Sequence, residues 1–384
     1  MASVLVLDTG TQGLAMVSAL HKAGHRVVLL YNGGHNYAGD SRYVDKKYVV
    51  PGGSNSSGYL ERVMDVLERE QIDLIIPMSD ATAAFVSRNK AELQLFTRVE
   101  CPDYSDFMRG YDKNQLMALC HVKGYPHPTT LDLHGVDIEY SDVVRRFPFP
   151  AMLKPNQTTG GRGMVKVESY DEIRRIFPDL HRQHGEYHLQ RYVRKGGRQV
   201  KCQLYIDEDQ RLLAHSVMQK MRWYPNEAGS NCCAVSIEDM SMVDICHRLL
   251  KDLNWVGFAD FDTIEDPDTG ELLVMELNPR VPACIKLAIV SGVNWGQVMV
   301  NACLHQAQEP IDYATGTMLR HLGLDFLWFL HDENRWQTRP NWFKFLGKNI
   351  YYQDLSNWTD PWPFVTGTWN NLKKILTGHG KGAV

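Results

Sequence analysis

The sequence lacks the marks of several protein classes. Its eight cysteines include no CxxC pair and no cysteine–histidine spacing of a zinc site. The adjacent Cys232 and Cys233 could bridge each other only with strain. No apolar run approaches the ~20 residues that a membrane-spanning helix needs. No leader peptide precedes the first strand, so a reduced, cytoplasmic protein is expected. Charge of one sign is also missing. Lys and Arg number 41 against 45 Asp and Glu, a net charge of −4, which offers nucleic acid no general attraction. There is no internal repeat and no low-complexity linker. What remains, 384 residues with 44% hydrophobic, is enough for two or three globular domains.

The chain opens with strand and helix patterns in alternation. Val4–Leu7 reads as a buried strand, Asp8–Gly13 as a turn, Leu14–His21 as a helix ended by Gly24, and Val27–Leu30 as the next strand, which makes a βαβ unit. The turn is GxxG, short of a dinucleotide fingerprint, so substrate-facing, structural and NAD-binding readings all stand. Helix Tyr59–Glu70 and strand Leu74–Ile76 follow. Ser79 and Asp80 then lie where open α/β sheets bind ligands, or they cap a helix starting at Ala81. Asp112 is a plausible N-cap for a helix from Lys113 to Lys123, which Gly124 stops, and a further helix is expected over Tyr140–Arg146.

Phe149–Met164 is the stretch the chain is organised around. A short strand, Ala151–Leu153, is followed by Lys154 and Pro155, then by a loop containing Gly160, Gly161 and Gly163. Glycines let backbone N–H groups approach a phosphate chain, and Lys154 adds fixed positive charge. No G-K-[ST] closes the loop, so it is not a Walker motif, and a mobile hairpin tip is the plainer reading. Helix Asp171–Phe177 and strands Tyr187–Val193, Gln199–Ile206 and Arg211–Gln219 follow. Helix Met240–Leu253 leads into a hairpin that turns at Asp266–Gly270 and returns over Leu272–Leu277. Strand alternation gathers Asp260, Glu276 and Asn278 on one face as three oxygen donors, the kind that Mg²⁺ takes beside nucleotide phosphates. Arg280, two residues further, suits an anionic reactant. A salt-bridged hairpin is the bland alternative.

In this order, Asp112-Lys113, Phe149-Pro-Ala-Met-Leu-Lys154-Pro, Thr159-Gly-Gly-Arg-Gly163, Leu189-Gln-Arg-Tyr-Val193, Ala259-Asp-Phe261 and Met275-Glu-Leu-Asn-Pro-Arg280, the motifs resemble the ATP-grasp superfamily. They are closest to the large chain of carbamoyl-phosphate synthase, biotin carboxylase and D-aspartate ligase-type carboxylate–amine ligases. The resemblance covers roughly residues 1–305. It implies an α/β and α+β architecture: a Rossmann-like pre-ATP-grasp domain over 1–110 and an ATP-grasp domain over 111–310 with a lid at about 126–193; beyond it, residues 311–384 read from their composition as an extra aromatic-rich helical segment. By the same resemblance, Lys113 and Lys154 contact the phosphates and Gly160, Gly161 and Gly163 form the lid. Gln190, Arg191 and Val193 form the adenine hinge, and Gln199 stands on the ribose side. Asp260, Glu276 and Asn278 bind Mg²⁺, with Mn²⁺ as an alternative ion. Lys220, Arg222 and Arg280 lie beside the γ-phosphate and the acyl phosphate. Relatives often carry Glu where Gln190, Arg191 and Gln199 stand.

The activity this implies is ATP-dependent ligation of a small-molecule carboxylate to an amine through an acyl phosphate. A bicarbonate-using carboxylase or carbamoyl-phosphate-type enzyme, a non-catalytic nucleotide-binding scaffold and an NAD oxidoreductase are the alternatives. The resemblance does not reach the tail, where six of the nine tryptophans lie between Trp328 and Trp369. The tail reads as an added helical layer, as a homodimer contact, or as a peripheral membrane surface, because tryptophans there accompany lysines.

Overall fold

The computed structural model describes residues 1–33, 37–158, 161–225, 229–355 and 359–376. Thr159 and Gly160, part of the expected glycine lid, lie outside them. The chain forms two compact units. The first comprises Met1–Phe107, Lys201–Asp260 and Asn278–Val384, and the second Met108–Val200 and Phe261–Leu277.

Strands β1 (Ser3–Leu7), β2 (Arg26–Tyr31), β3 (Lys46–Val49) and β4 (Leu74–Pro77) make a parallel sheet in the order β3-β2-β1-β4. Both faces are covered, as an all-parallel sheet requires. Val4, Val6, Val27 and Leu29 enter one core with Met16 and Leu20 of helix Thr11–Lys22. Leu5, Leu7, Val28 and Leu30 enter the other with Val63 and Val66 of helix Tyr59–Glu70. The first helix starts at Thr11, ahead of the expected Leu14. Gly13 is admitted into it because a side chain there would press on the Ala38 methyl at 3.1 Å. The turn before it is tight, with Asp8 at φ 84° and its carboxylate accepting the Thr9 N–H at 2.8 Å.

In the second unit, strands β5 (Thr130–Asp132), β6 (Ala151–Pro155), β7 (Val165–Val167) and β8 (Tyr187–Arg191) pair antiparallel in the order β5-β8-β6-β7. Ala151, Leu153, Val167 and Leu189 form a core with Ile173 of helix Tyr170–His184. That helix does not stop at Phe177. It continues through the exposed Pro178, where a backbone bond is forfeited, because Phe177 and Leu180 both pack on the sheet. The expected helix over Tyr140–Arg146 is instead a 3₁₀ turn, Ile138–Tyr140, and a short helix, Asp142–Arg145. Ser141 splits them by accepting the Val144 N–H at 3.3 Å. Strand β8 ends at Arg191, two residues before the expected Val193.

The largest sheet has seven strands. They are β9 (Gln199–Ile206), β10 (Leu212–Tyr224), β11 (Ser230–Ile237), β12 (Gly257–Glu265), β13 (Leu272–Asn278), β14 (Met318–Arg320) and β15 (Ile350–Tyr352), in the order β13-β12-β9-β10-β11-β14-β15. Strand β10 runs past the expected Gln219 to Tyr224, with its register against β11 broken between Lys220 and Trp223. The tail mixes strand and helix: β14 and β15 flank helix Leu322–His331, and helix Trp362–Leu376 follows. Phe329 stacks on Trp342, while Trp336, Phe343 and Leu346 remain exposed. Among the described residues no helix is long and apolar enough to cross a membrane. All eight cysteines are free thiols.

Candidate functional site

In the second unit, polar chemistry converges around the end of β6. Asp112 caps helix Lys113–Lys123 by accepting the N–H groups of Asn114 and Gln115, both at 3.1 Å. This fixes Lys113 at the first turn, where its ammonium reaches the Thr158 carbonyl (3.0 Å) and the Glu276 carboxylate (3.3 Å). Lys154 is buried on β6, and its ammonium donates to Gln190 Oε1 at 2.5 Å. Gln190 in turn donates to Thr130 Oγ1 at 3.1 Å. Burial pulls the Lys154 ammonium down to about 8, with Glu276 pushing it up and Lys113 adding to the fall.

His188 lies opposite Lys154 in the β6–β8 register. Burial, then Lys154 and Lys113, hold it well below its usual range, so the ring is neutral. Its Nδ1 lies 2.8 Å from Asn156 Oδ1 and is assigned the proton on that contact, which leaves Nε2 as a buried acceptor with no partner among the described residues. Two ammonium groups against one carboxylate, with polar capacity unspent, make an anion-binding environment. Sequence reasoning missed His188; its only signal was alternation with Gln190 along β8.

The loop that follows β6 is held from below. Thr158 Oγ1 donates to the Arg162 carbonyl at 2.8 Å and Tyr187 Oη to the Gly163 carbonyl at 2.9 Å. Gly161 and Gly163 have φ of 71° and 75°. A Cβ on Gly163 would stand 2.9 Å from Pro155, His184 and Tyr187, so only glycine fits there. At the expected hinge, the Arg191 guanidinium is ion-paired to Asp266 at 2.7 Å, and its N–H is bound to the Thr129 carbonyl. Val193 follows the end of β8 and Gln199 begins β9; both are half-buried.

In the first unit, the expected site residues form two separate groups. One is Asp260 with Asn278. The buried Asp260 receives the Lys201 ammonium on Oδ2 at 2.6 Å, and Asn278 Nδ2 approaches both that oxygen and the Asp260 carbonyl at 3.3 Å. Lys201, invisible to sequence spacing, is the second residue that sequence reasoning missed. The other group is Arg280 with Asp80, Nε to Oδ1 at 3.0 Å. The Ser79 alternatives resolve here: Ser79 and Thr82 form a reciprocal capping box on helix Asp80–Arg88, which starts one residue early, while Asp80 is turned to Arg280. Arg280 also borders a cavity of about 40 Å³ with Glu100, Tyr205, Trp255 and Phe107 on its wall.

Lys220 is half-buried on β10 opposite Ala234. Arg222, expected beside a phosphate, is instead fully buried. Its Nε and Nη2 donate to Asp325 at 2.7 and 3.0 Å, and its Nη1 to the Pro340 carbonyl at 2.8 Å. These bonds commit the guanidinium to the fold.

As a magnesium set, the expected donors fit in part. Among the described residues, no three or more His, Cys, Asp or Glu side chains gather as a metal would require. Glu276 is one-third exposed, with an oxygen-rich head, and Asn278 stands two residues along the same strand. Asp260 is already neutralised by Lys201.

Residues 127–294 match the family model described as carbamoyl-phosphate synthase L chain, ATP binding domain. The C-terminal section of the carbamoyl phosphate synthase large chain of Methanopyrus kandleri is 22% identical over 275 residues, spanning 69% of this chain and 48% of the relative. The D-aspartate ligase of Enterococcus faecium is 22% identical over 268 residues, spanning 64% of this chain and 63% of the ligase. The chain thus spans about half the length of the first relative and just under two thirds of the second. In fold it is similar to the biotin carboxylase domain of Hydrogenobacter thermophilus 2-oxoglutarate carboxylase, solved as a dimer with MgADP, ADP and bicarbonate. The TM-score is 0.67 at 15% identity, over 83% of this chain and 73% of that one.

Proposed function

Starting from a chain that carries an ATP-grasp domain of the carbamoyl-phosphate synthase L-chain type, we propose that it is an ATP-dependent ligase joining a small carboxylate to an amine. The γ-phosphoryl group of ATP passes to the carboxylate, giving an acyl phosphate and ADP. The amine attacks the acyl carbon, phosphate leaves, and the amine loses a proton to give the amide. The observation that carries this reading is the pairing of Lys113 and Lys154 against the single carboxylate of Glu276. The surplus is positive and buried.

Lys113 and Lys154 hold the triphosphate. The Gly161–Gly163 segment closes over it, which keeps water from an acyl phosphate that would otherwise hydrolyse. The main chain from Arg191 to Val193 faces the adenine edge, since the Arg191 side chain is engaged by Asp266; Gln190 braces Lys154, and Gln199 lies on the ribose side. Arg280, oriented by Asp80, holds the carboxylate or the phosphoryl group in transfer, with Lys220 beside it. Arg222 anchors the strand that carries Lys220. Mg²⁺, or Mn²⁺ in its place, would be held by Glu276 and Asn278 and would neutralise charge on the phosphates.

Glu276→Gln tests the assignment. Turnover should fall at least roughly a thousandfold, the scale of lost charge stabilisation at a metal-assisted transfer, while circular dichroism stays unchanged. Full retained activity would remove Glu276 from the site. A screen of ADP release with carboxylates crossed against amines identifies the reactants. Release driven by bicarbonate alone would replace this reading with a carboxylating enzyme.

A further inference from the structure

We propose that the loop between helix Leu322–His331 and β15 is a docking face for an anionic lipid bilayer. Apolar side chains project from this loop: Leu346 is 88% exposed, Trp336 65% and Phe343 56%. Contacts beneath the rings hold them out. Trp336 stacks on Phe343 at 5.9 Å, and both meet Phe329 of the helix edge-on, at 5.2 and 5.7 Å. Phe329 stacks in turn on Trp342 at 4.1 Å, and the Trp342 indole N–H donates to the Asp325 carbonyl at 3.0 Å. The outer rings are thus pinned, through an inner layer, to the helix that carries the buried Asp325. Phe326 and Leu330 of that helix are exposed as well. Side chains three and four residues apart adjoin on a helix, so Phe326, Phe329 and Leu330 carry the patch along it.

The charge around these side chains has one sign. Asp332 and Glu333 precede the stretch, but from Asn334 to Asn349 the chain carries Arg335, Arg339, Lys344 and Lys348 and no Asp or Glu. Arg339, Lys344 and Lys348 are exposed. That charge selects among occupants. A second copy of the chain, docking the same patch on itself as a two-fold contact requires, would set these cations against their own counterparts. Acidic headgroups attract them instead. An aliphatic tip such as Leu346 gains little from nucleic acid, whereas acyl chains bury it, and indole rings suit the boundary between headgroup and hydrocarbon. Among the described residues no helix is long and apolar enough to cross a membrane, so the contact is peripheral, with one leaflet.

Flotation of the full chain with vesicles tests this, comparing phosphatidylcholine alone with an equimolar mixture of phosphatidylcholine and phosphatidylserine. The chain should float with the mixed vesicles, stay behind with phosphatidylcholine alone, and be released as salt rises. Leu346→Asp should lower the floated fraction about tenfold. Lys344→Glu combined with Lys348→Glu should lower it by a similar factor, about tenfold. These side chains are exposed, so circular dichroism should be unchanged. If a variant fails to fold, the two vesicle types and the salt series on the unaltered chain decide alone. No flotation with either vesicle, equal flotation with both, or full flotation of folded Leu346→Asp would overturn the proposal. A dimer in sedimentation velocity that Leu346→Asp dissociates, with no flotation, would give the face to a second copy of the chain.

Discussion

Two buried ionic clusters, one in each unit, each hold a residue that the family resemblance assigned to the phosphates, Arg222 in one and Lys154 in the other, and they differ in how fully they are satisfied. Around Asp325, in the first unit, little is left over. Arg222 and Arg320 bind its two oxygens at 2.7 to 3.0 Å, and their remaining donors reach the carbonyls of Pro340 and Lys344 at 2.8 and 2.9 Å. Trp328 lies 5.2 Å from the Arg222 guanidinium, and the Phe345 ring 4.3 Å from that of Arg320. Around Lys154, in the second unit, capacity remains. The ammonium is pulled down to about 8, and His188 Nε2 is a buried acceptor without a partner among the described residues. A closed cluster has spent its polarity on the fold. An open one holds energy that a ligand can recover.

The sharpest way to break this contrast is Asp325→Ala. It leaves two buried guanidinium groups without their shared carboxylate, which should destabilise the protein by about 3–5 kcal/mol. Chemical denaturation measures it. An unchanged unfolding midpoint would mean that the cluster does not hold the first unit together and would return Arg222 to candidacy at the phosphate.

Lys154→Met should act in the opposite sense, with a smaller free-energy change that falls on binding. Methionine preserves the length of the stem while removing the charge, and a lost charge-assisted phosphate contact is worth about 1.5–3 kcal/mol. ATP affinity measured by calorimetry should fall roughly 10- to 150-fold. Unfolding free energy should not fall and should rise at neutral pH, since a buried lysine with a depressed pKa is itself a cost to folding. Equal ATP affinity in the two proteins would dissolve the difference between the clusters.

What the sequence disclosed follows range of interaction. Strands β1 and β2 were legible because a short, wholly apolar run is a local signal, and Asp112 was legible as a cap because the group it serves lies two or three residues on. The role of Arg222 was not, because Asp325 lies 103 residues away and nothing near Arg222 announces it. Lys201 was hidden for the same reason, its partner being 59 residues distant. Ser79 and Asp80 were adjacent and ambiguous; the structure divided the roles, one to the helix and one to Arg280, through a contact 200 residues long. Pro178 misled in another way. The expected helix stopped at Phe177, just before it, but the packing of Phe177 and Leu180 on either side outweighs the proline's local cost. Strands β14 and β15, three residues each, carry too few positions for any periodic pattern.

The gentlest test needs no substitution. With its ammonium near 8, Lys154 loses its proton as pH rises through that value, while bound phosphate would keep it charged. Binding ATP above pH 8 must therefore take up a proton, and affinity should fall about eightfold between pH 7.5 and 9. Folding runs the other way. The unfolded lysine keeps its proton to about 10.4, so between about 8 and 10.4 the unfolded state binds more protons, and this group's contribution to stability rises with pH. Opposite slopes for ATP affinity and for stability, both erased in Lys154→Met, would tie the charge surplus to a single buried ammonium. Parallel slopes, or slopes that survive the substitution, would assign the pH dependence to other groups and leave the second cluster as closed as the first.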